Sequence, residues 1–183
     1  MVVRFGVCPF AAPALTSGAV ARRVLAGFDE LPAVVDAWAR DPAIEVALVI
    51  FPSLELGFEA FERGCAPLRT AHPAFVAAVF HPEAPFAPAT PAQAVGFFRR
   101  APDPTLQLVR ADVLERVRGA DGKFLFDFSP AAWAELQRRE RRLSPSERIA
   151  RDNHALLAAS ADELAAIYDD IRADRARSYA GGG

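Results

Sequence analysis

The chain has 183 residues, 52% apolar and 24% charged, which suits one compact domain with a substantial core and argues against wholesale disorder. A formal charge of −2 leaves no global basic field to hold a nucleic acid. No apolar run approaches the roughly 20 residues that a bilayer requires.

No charged start followed by a long apolar stretch opens the chain, so the expectation is a cytoplasmic protein. The two cysteines, Cys8 and Cys65, are too few for a disulfide framework and are read as reduced thiols. Lys123 is the one lysine among 21 basic residues, a bias that reads as the codon usage of a GC-rich genome rather than an arginine-based function.

Residues 19–28 are expected as a first strand, although their alternation is imperfect. Residues 31–40 follow as a helix, because Leu31, Val34, Val35 and Trp38 recur at helical spacing. Residues 44–51 form a short, nearly continuous apolar run rich in β-branched side chains, the mark of a buried central strand that Pro52 ends. A second helix is expected over 56–68 with Phe58 and Phe61 inward, and a third strand over 75–80 with His81-Pro82 at its end. Prolines 82, 85, 88, 91, 102 and 104 make the next stretch largely loop, with a short helix over 91–98 that Pro91 can start. Residues 105–110 alternate as a fourth strand, and 112–118 read as a helix.

Beyond Gly119 the texture turns helical. Helices are expected over 130–142, 145–157 and 162–177, the first two with Ser129 and Ser144 as N-caps before proline. The fold expected is therefore α+β, an approximately four-stranded sheet covered by helices with a helical C-terminal extension. Residues 1–118 would form the α/β core, and residues 119–180 a helical extension packed on the same domain.

Three features carry the candidate chemistry. His81 follows a buried strand and opens the long loop, where sites are commonly built, and Phe80, Phe86, Phe97 and Phe98 can line an apolar pocket beside it. A neutral imidazole there can ligate a metal or haem iron. The competing reading is a ring that bonds a backbone carbonyl and pins the loop. In Cys8-Pro9-Phe10, the sulfur can act as a thiolate nucleophile if its pKa is lowered, or simply pack as a small apolar group. Arg100, on a proline-bounded loop, and Arg110, at the end of the fourth strand, can grip carboxylates through forked hydrogen bonds or form surface salt bridges. Glu55, Glu59 and Glu62 read as exposed charges. The sequence offers no phosphate-binding glycine loop, no structural-zinc spacing and no serine elbow.

The order Cys8-Pro9-Phe10-Ala11, then Leu48-Val49-Ile50-Phe51-Pro52, then Phe80-His81-Pro82, then Arg100-Ala101-Pro102-Asp103-Pro104-Thr105-Leu106-Gln107-Leu108-Val109-Arg110 resembles bacterial domain-of-unknown-function family fourteen-fifteen. That family's pattern runs Cys-Pro-Phe-Ala, Phe-His-Pro and Arg-Ser-Pro-Tyr-Pro-Thr-Leu-His-Leu-Leu-Arg. Ala101, Asp103 and Gln107 depart from it, and Gln107 removes the second histidine that a two-histidine mechanism would need. More distantly, the N-terminal half is similar to YqcI/YcgG-type proteins, some of which are haem-dependent N-oxygenases.

What these resemblances imply is a haem-binding enzyme, an oxygenase acting on a small nitrogen-containing metabolite. His81 would be the axial ligand, with Phe80, Phe86, Phe97 and Phe98 against the porphyrin and Arg100 and Arg110 on propionate or substrate carboxylate. Two alternatives stand beside it, a cofactor-free thiol enzyme using Cys8 with His81 as base, and a non-catalytic partner protein. A small-molecule substrate, no nucleic acid and no membrane are expected, and a homodimer stays open.

Overall fold

A computed structural model describes residues 11–87, 89–114 and 145–180. In chain order it contains α1 (Ala11–Ser17), β1 (Val20–Val24), α2 (Leu31–Arg40), β2 (Val46–Ile50), α3 (Phe58–Ala71), β3 (Phe75–Phe80), α4 (Pro91–Phe98), β4 (Thr105–Arg110) and α5 (Pro145–Ala180). The protein is an α+β fold built on a four-stranded mixed sheet in the order β1-β2-β4-β3.

β1 runs parallel to β2, and β4 runs antiparallel to both β2 and β3. β3 therefore points the same way as β1 and β2. The carboxyl ends of these three strands and the amino end of β4 share one edge of the sheet, and the loops that leave this edge build the site.

Each element follows from its side chains. β2 is central, and Val46, Ala47 and Val49 are buried within it, which accounts for its continuous apolar run. β1 is an edge strand with Arg22, Arg23 and Val24 exposed, and its outward charges explain the poor alternation. α1 lacks a clear apolar stripe. It ends at Gly18, which takes φ +75°, while the Ala19 N–H donates to the Ala14 carbonyl at 3.0 Å. That left-handed turn needs a residue without a Cβ.

α2 and α3 pack Leu31, Val35, Phe61, Cys65 and Leu68 onto Ala47, Val49, Leu106 and Leu108. Phe28, Phe51 and Phe61 form an aromatic cluster within this core, with ring centroids 5.4–5.8 Å apart. Each fully buried phenylalanine contributes roughly 2–3 kcal/mol of burial. Val46 and Val109, neighbours in the β2–β4 register, turn the other way and meet Ala14, Val113 and Leu114. Helical residues thus cover both faces of the sheet.

α4 starts at the Thr90 cap, whose hydroxyl accepts the Gln93 N–H at 3.3 Å. α4 and α5 share a third cluster of Ala94, Phe97, Leu157 and Leu164. α5 leaves helical geometry at Ser160 (φ −140°, ψ 31°), so the two expected late helices are two arms of one bent element. Residues 111–114 are helical, whereas the helix expected over 130–142 and its Ser129 cap, the Ser144 cap and the Gly119 boundary lie outside the described residues. Among the described residues no helix is long and apolar enough to cross a membrane.

Candidate functional site

A cleft of about 870 Å³ opens at the shared sheet edge. Leu54, Glu55 and Leu56 reach it from the loop after β2, His81, Pro82 and Glu83 from the loop after β3, and Pro102 and Pro104 from the entry to β4. The facing wall is the last part of α5, through Asp169, Arg172 and Arg175. This is where open α/β sheets bind ligands, outside the carboxyl ends of their strands.

His81 lies in the floor of the cleft with only 3% of its surface exposed. Its Nε2 stands 2.9 Å from the Leu56 carbonyl, and its Nδ1 accepts the Glu83 N–H at 3.0 Å. A carbonyl can only accept, so Nε2 carries the proton and Nδ1 spends its lone pair on the backbone. The ring also abuts Phe61 and Phe58, at centroid distances of 5.8 and 6.0 Å. Its main-chain N–H donates to the Arg99 carbonyl at 2.9 Å, tying the end of β3 to the end of α4. His81 therefore pins two loops of the cleft.

An axial haem ligand must direct a ring-nitrogen lone pair at the iron. Neither nitrogen of His81 has one to give, so the ring as placed does not fit that role. The aromatic residues expected around a porphyrin are not gathered about His81 either. Phe97 is buried with Ala94, Leu157 and Leu164, and it stacks edge-on with Phe86 and Phe98 at 5.3 and 5.4 Å. Phe80, Phe86, Phe97 and Phe98 do not line the cleft.

The arginines also separate from His81. Arg110 donates to the carbonyls of Ile44 and Trp38 at 2.7 and 2.9 Å, and to those of Ala39 and Asp41. Its guanidinium lies over Phe75, 5.1 Å from the ring centroid. It clamps the end of α2 to the start of β2, and its fork is spent on backbone. Arg100 stacks on Tyr168 of α5 at 4.8 Å, and its buried Nε has no hydrogen-bond partner among the described residues. Cys8 lies outside the described residues. Cys65 is buried in α3, and burial pushes its thiol up to about 12, which leaves it without nucleophilic character near neutral pH.

Sequence reasoning took Glu55 only as an exposed charge and passed over the other residues that charge the cleft. Glu55 and Glu83 stand on the loop side, and Asp169 and Arg172 stand on α5. The side chain of none of the four makes a hydrogen bond or ion pair with another described residue. Glu59 and Glu62, which share the helical spacing of Glu55, instead approach Arg63 and Arg69 at 4.0 and 3.5 Å on the exposed face of α3. The other polar feature is Asp103, buried between Pro102 and Pro104. Its Oδ1 accepts from Arg175 Nε and Nη2 at 2.7 and 2.6 Å, and its Oδ2 accepts the Tyr179 hydroxyl at 3.3 Å. The hydrogen bond to Asp103 holds Arg175 above the ordinary arginine range, and partial desolvation followed by the same carboxylate raises Tyr179. A signal for this group existed. Arg172, Arg175 and Tyr179 recur at helical spacing, and an acid between two prolines is held by a stiff backbone.

No group of three or more His, Cys, Asp or Glu suited to a metal ion occurs among the described residues. In comparison with known proteins, the family described as "Protein of unknown function (DUF1415)" matches residues 1–122. No curated protein and no solved structure matches significantly.

Proposed function

The chain belongs to the DUF1415 family, and from that premise we propose that it binds a small nitrogen-containing metabolite, cationic or zwitterionic, in the cleft at the sheet edge. The observation that carries this reading is the charge of the walls. With Asp103 and Arg175 neutralising each other, Glu55 and Glu83 on the loop side face Asp169 and the single remaining guanidinium, Arg172, on α5 across about 870 Å³. An ammonium or guanidinium group suits the loop-side carboxylates, and a carboxylate on the same molecule suits Arg172 through a forked pair of hydrogen bonds. Leu54, Leu56 and the proline rings supply the apolar contact that a small carbon frame needs. The volume lies within the range of metabolite sites, roughly 300–1,000 Å³.

Chemistry on such a ligand would need a group that this cleft does not supply through His81. Oxygenation through haem would require an iron ligand other than that ring, and no step is assigned to it.

Calorimetric titration with L-arginine, putrescine and succinate tests the reading. Binding of one or both cationic compounds, weakened at least tenfold by Glu83→Gln, supports it. Succinate binding as well as the amines, or no binding by any of the three, overturns it. Glu83 is suited to this test because its main-chain N–H, not its carboxylate, holds His81.

A further inference from the structure

We propose that the last three turns of α5, from Asp169 to Ala180, are a strap over the cleft, closed by one polar latch on Asp103. The apolar anchorage of α5 stops short of this segment. Leu157 and Leu164 pack against α4, and Tyr168 is buried beneath Arg100. From Asp169 to Ala180 every residue is exposed except the partly buried Arg175. Ile171 and Tyr179 are 38% and 53% exposed, so no fully buried hydrophobic side chain anchors these turns among the described residues.

What holds them is the carboxylate of Asp103, itself 6% exposed. It takes two donors from Arg175 and one from Tyr179, and the Arg175 guanidinium lies over the Tyr179 ring at 4.7 Å. A second donor contact from Arg175, to the Pro52 carbonyl, is long at 3.5 Å. The strap carries Asp169, Arg172, Ala173, Arg175 and Ala176 of the cleft wall, so opening it removes one wall as a unit. The break in helical geometry at Ser160 lies between the packed residues Leu157 and Leu164 and upstream of Tyr168, so the strap can part from the sheet by fraying after Tyr168 while both leucines stay packed against α4. A segment held by polar contacts, with solvent-exposed backbone and no buried apolar anchor, belongs to the low-stability end of a structure.

The latch stands on these contacts alone. Its role as a gate to ligand rests on the reading of the cleft above, and the test below uses no ligand, so either idea can fail without the other. Hydrogen exchange is followed by mass spectrometry on the full chain, comparing wild type with Arg175→Ala and Asp103→Asn. Amides of 169–180 are expected to be measurably protected in the wild type. In Arg175→Ala they should exchange faster by about tenfold or more, the scale expected for losing a partly buried, charge-assisted pair, while amides of 161–168 keep their rates. Raising salt from low to about 1 M should speed exchange of 169–180 in the wild type and leave Arg175→Ala unaffected, because only the former has an ion pair to screen. Arg175 lies on the exposed element, so its loss spares the core even if Asp103→Asn destabilises the fold. Unchanged protection of 169–180 in Arg175→Ala overturns the proposal, as does a wild type in which those amides exchange without protection.

Discussion

At the scale of single residues, the imidazole of His81 acts through its two backbone partners and its place against Phe58 and Phe61. His81→Ala would leave the Leu56 carbonyl and the Glu83 N–H without their partner and would empty a buried ring-sized space. The expected loss is about 2–4 kcal/mol of folding stability, read from urea unfolding. A loss below about 1 kcal/mol would mean that the ring is not the pin. Hemin titration is a separate readout. A sharp Soret band present in the wild type and absent in a folded His81→Ala would restore the ring as an iron ligand, whereas the bonded geometry leads us to expect no difference between the two. Cys65 gives a second residue-scale prediction. In a Cys8→Ser background, a disulfide reagent at pH 8 should label Cys65 only as fast as the protein unfolds, because a thiol raised to about 12 carries almost no thiolate there. Rapid labelling of the folded protein would contradict that burial. His81 was visible in the sequence as a residue of interest because it stands at a strand end before proline. Its partner Leu56 lies 25 residues away, and no local pattern reveals a contact of that separation. The same limit hid Glu83 and Arg172, whose importance comes from two loops and a distant helix facing one another.

At the scale of elements, periodicity was a sound guide wherever one apolar face met one core. The expected bounds of α2, β3 and β4 agree with Leu31–Arg40, Phe75–Phe80 and Thr105–Arg110, and those of α4, read from Pro91 at its start, agree with Pro91–Phe98. It failed where packing did not shape the pattern. The strand expected over 19–28 stops at Val24, because an edge strand with exposed arginines has no second face to bury and Phe28 turns into the aromatic core. α1 went unread because its seven residues carry no stripe, although Gly18 marks its end. The proline-rich stretch is held closely against α4. A Cβ added at Gly96 would lie 1.9 Å from the Pro85 carbonyl oxygen and 2.9 Å from its carbon. Gly96→Ala should therefore reverse the usual helix preference, which favours alanine by about 1 kcal/mol, and destabilise the protein by about 1–3 kcal/mol as backbone is forced from backbone. Gly64→Ala is the instructive contrast. The nearest atoms to its Cβ would be those of the Phe28 ring, at 2.6 Å, and a side chain can yield where a carbonyl cannot. Thermal melts of the two variants should rank Gly96→Ala as the less stable, and the opposite order would show that the loop, not the ring, is the softer neighbour.

At the scale of the whole molecule, the sheet edge and the C-terminal turns meet through a handful of polar groups, and one of them titrates within reach of experiment. The Tyr179 hydroxyl donates to Asp103 Oδ2 while neutral. Once ionised it would lose that bond and set a phenolate against the buried carboxylate. Partial desolvation and Asp103 raise its pKa above 10, while Arg175 opposes them. The folded value thus exceeds the unfolded one, so the contribution of this contact is complete below about pH 10 and disappears as the pH rises through the folded value. Because the side chain is half exposed, the effect is expected in the strap rather than in global stability. Phenolate absorbance, with Tyr179 isolated as the difference between wild type and Tyr179→Phe, should show a titration above 10 that falls toward 10 in Asp103→Asn. Over the same range, exchange of the 169–180 amides, corrected for the intrinsic rise with pH, should accelerate in the wild type and not in Tyr179→Phe. A Tyr179 that titrates at or below 10 would mean that its hydroxyl does not rest on Asp103. The α5 turns would then meet the cleft through Arg175 alone.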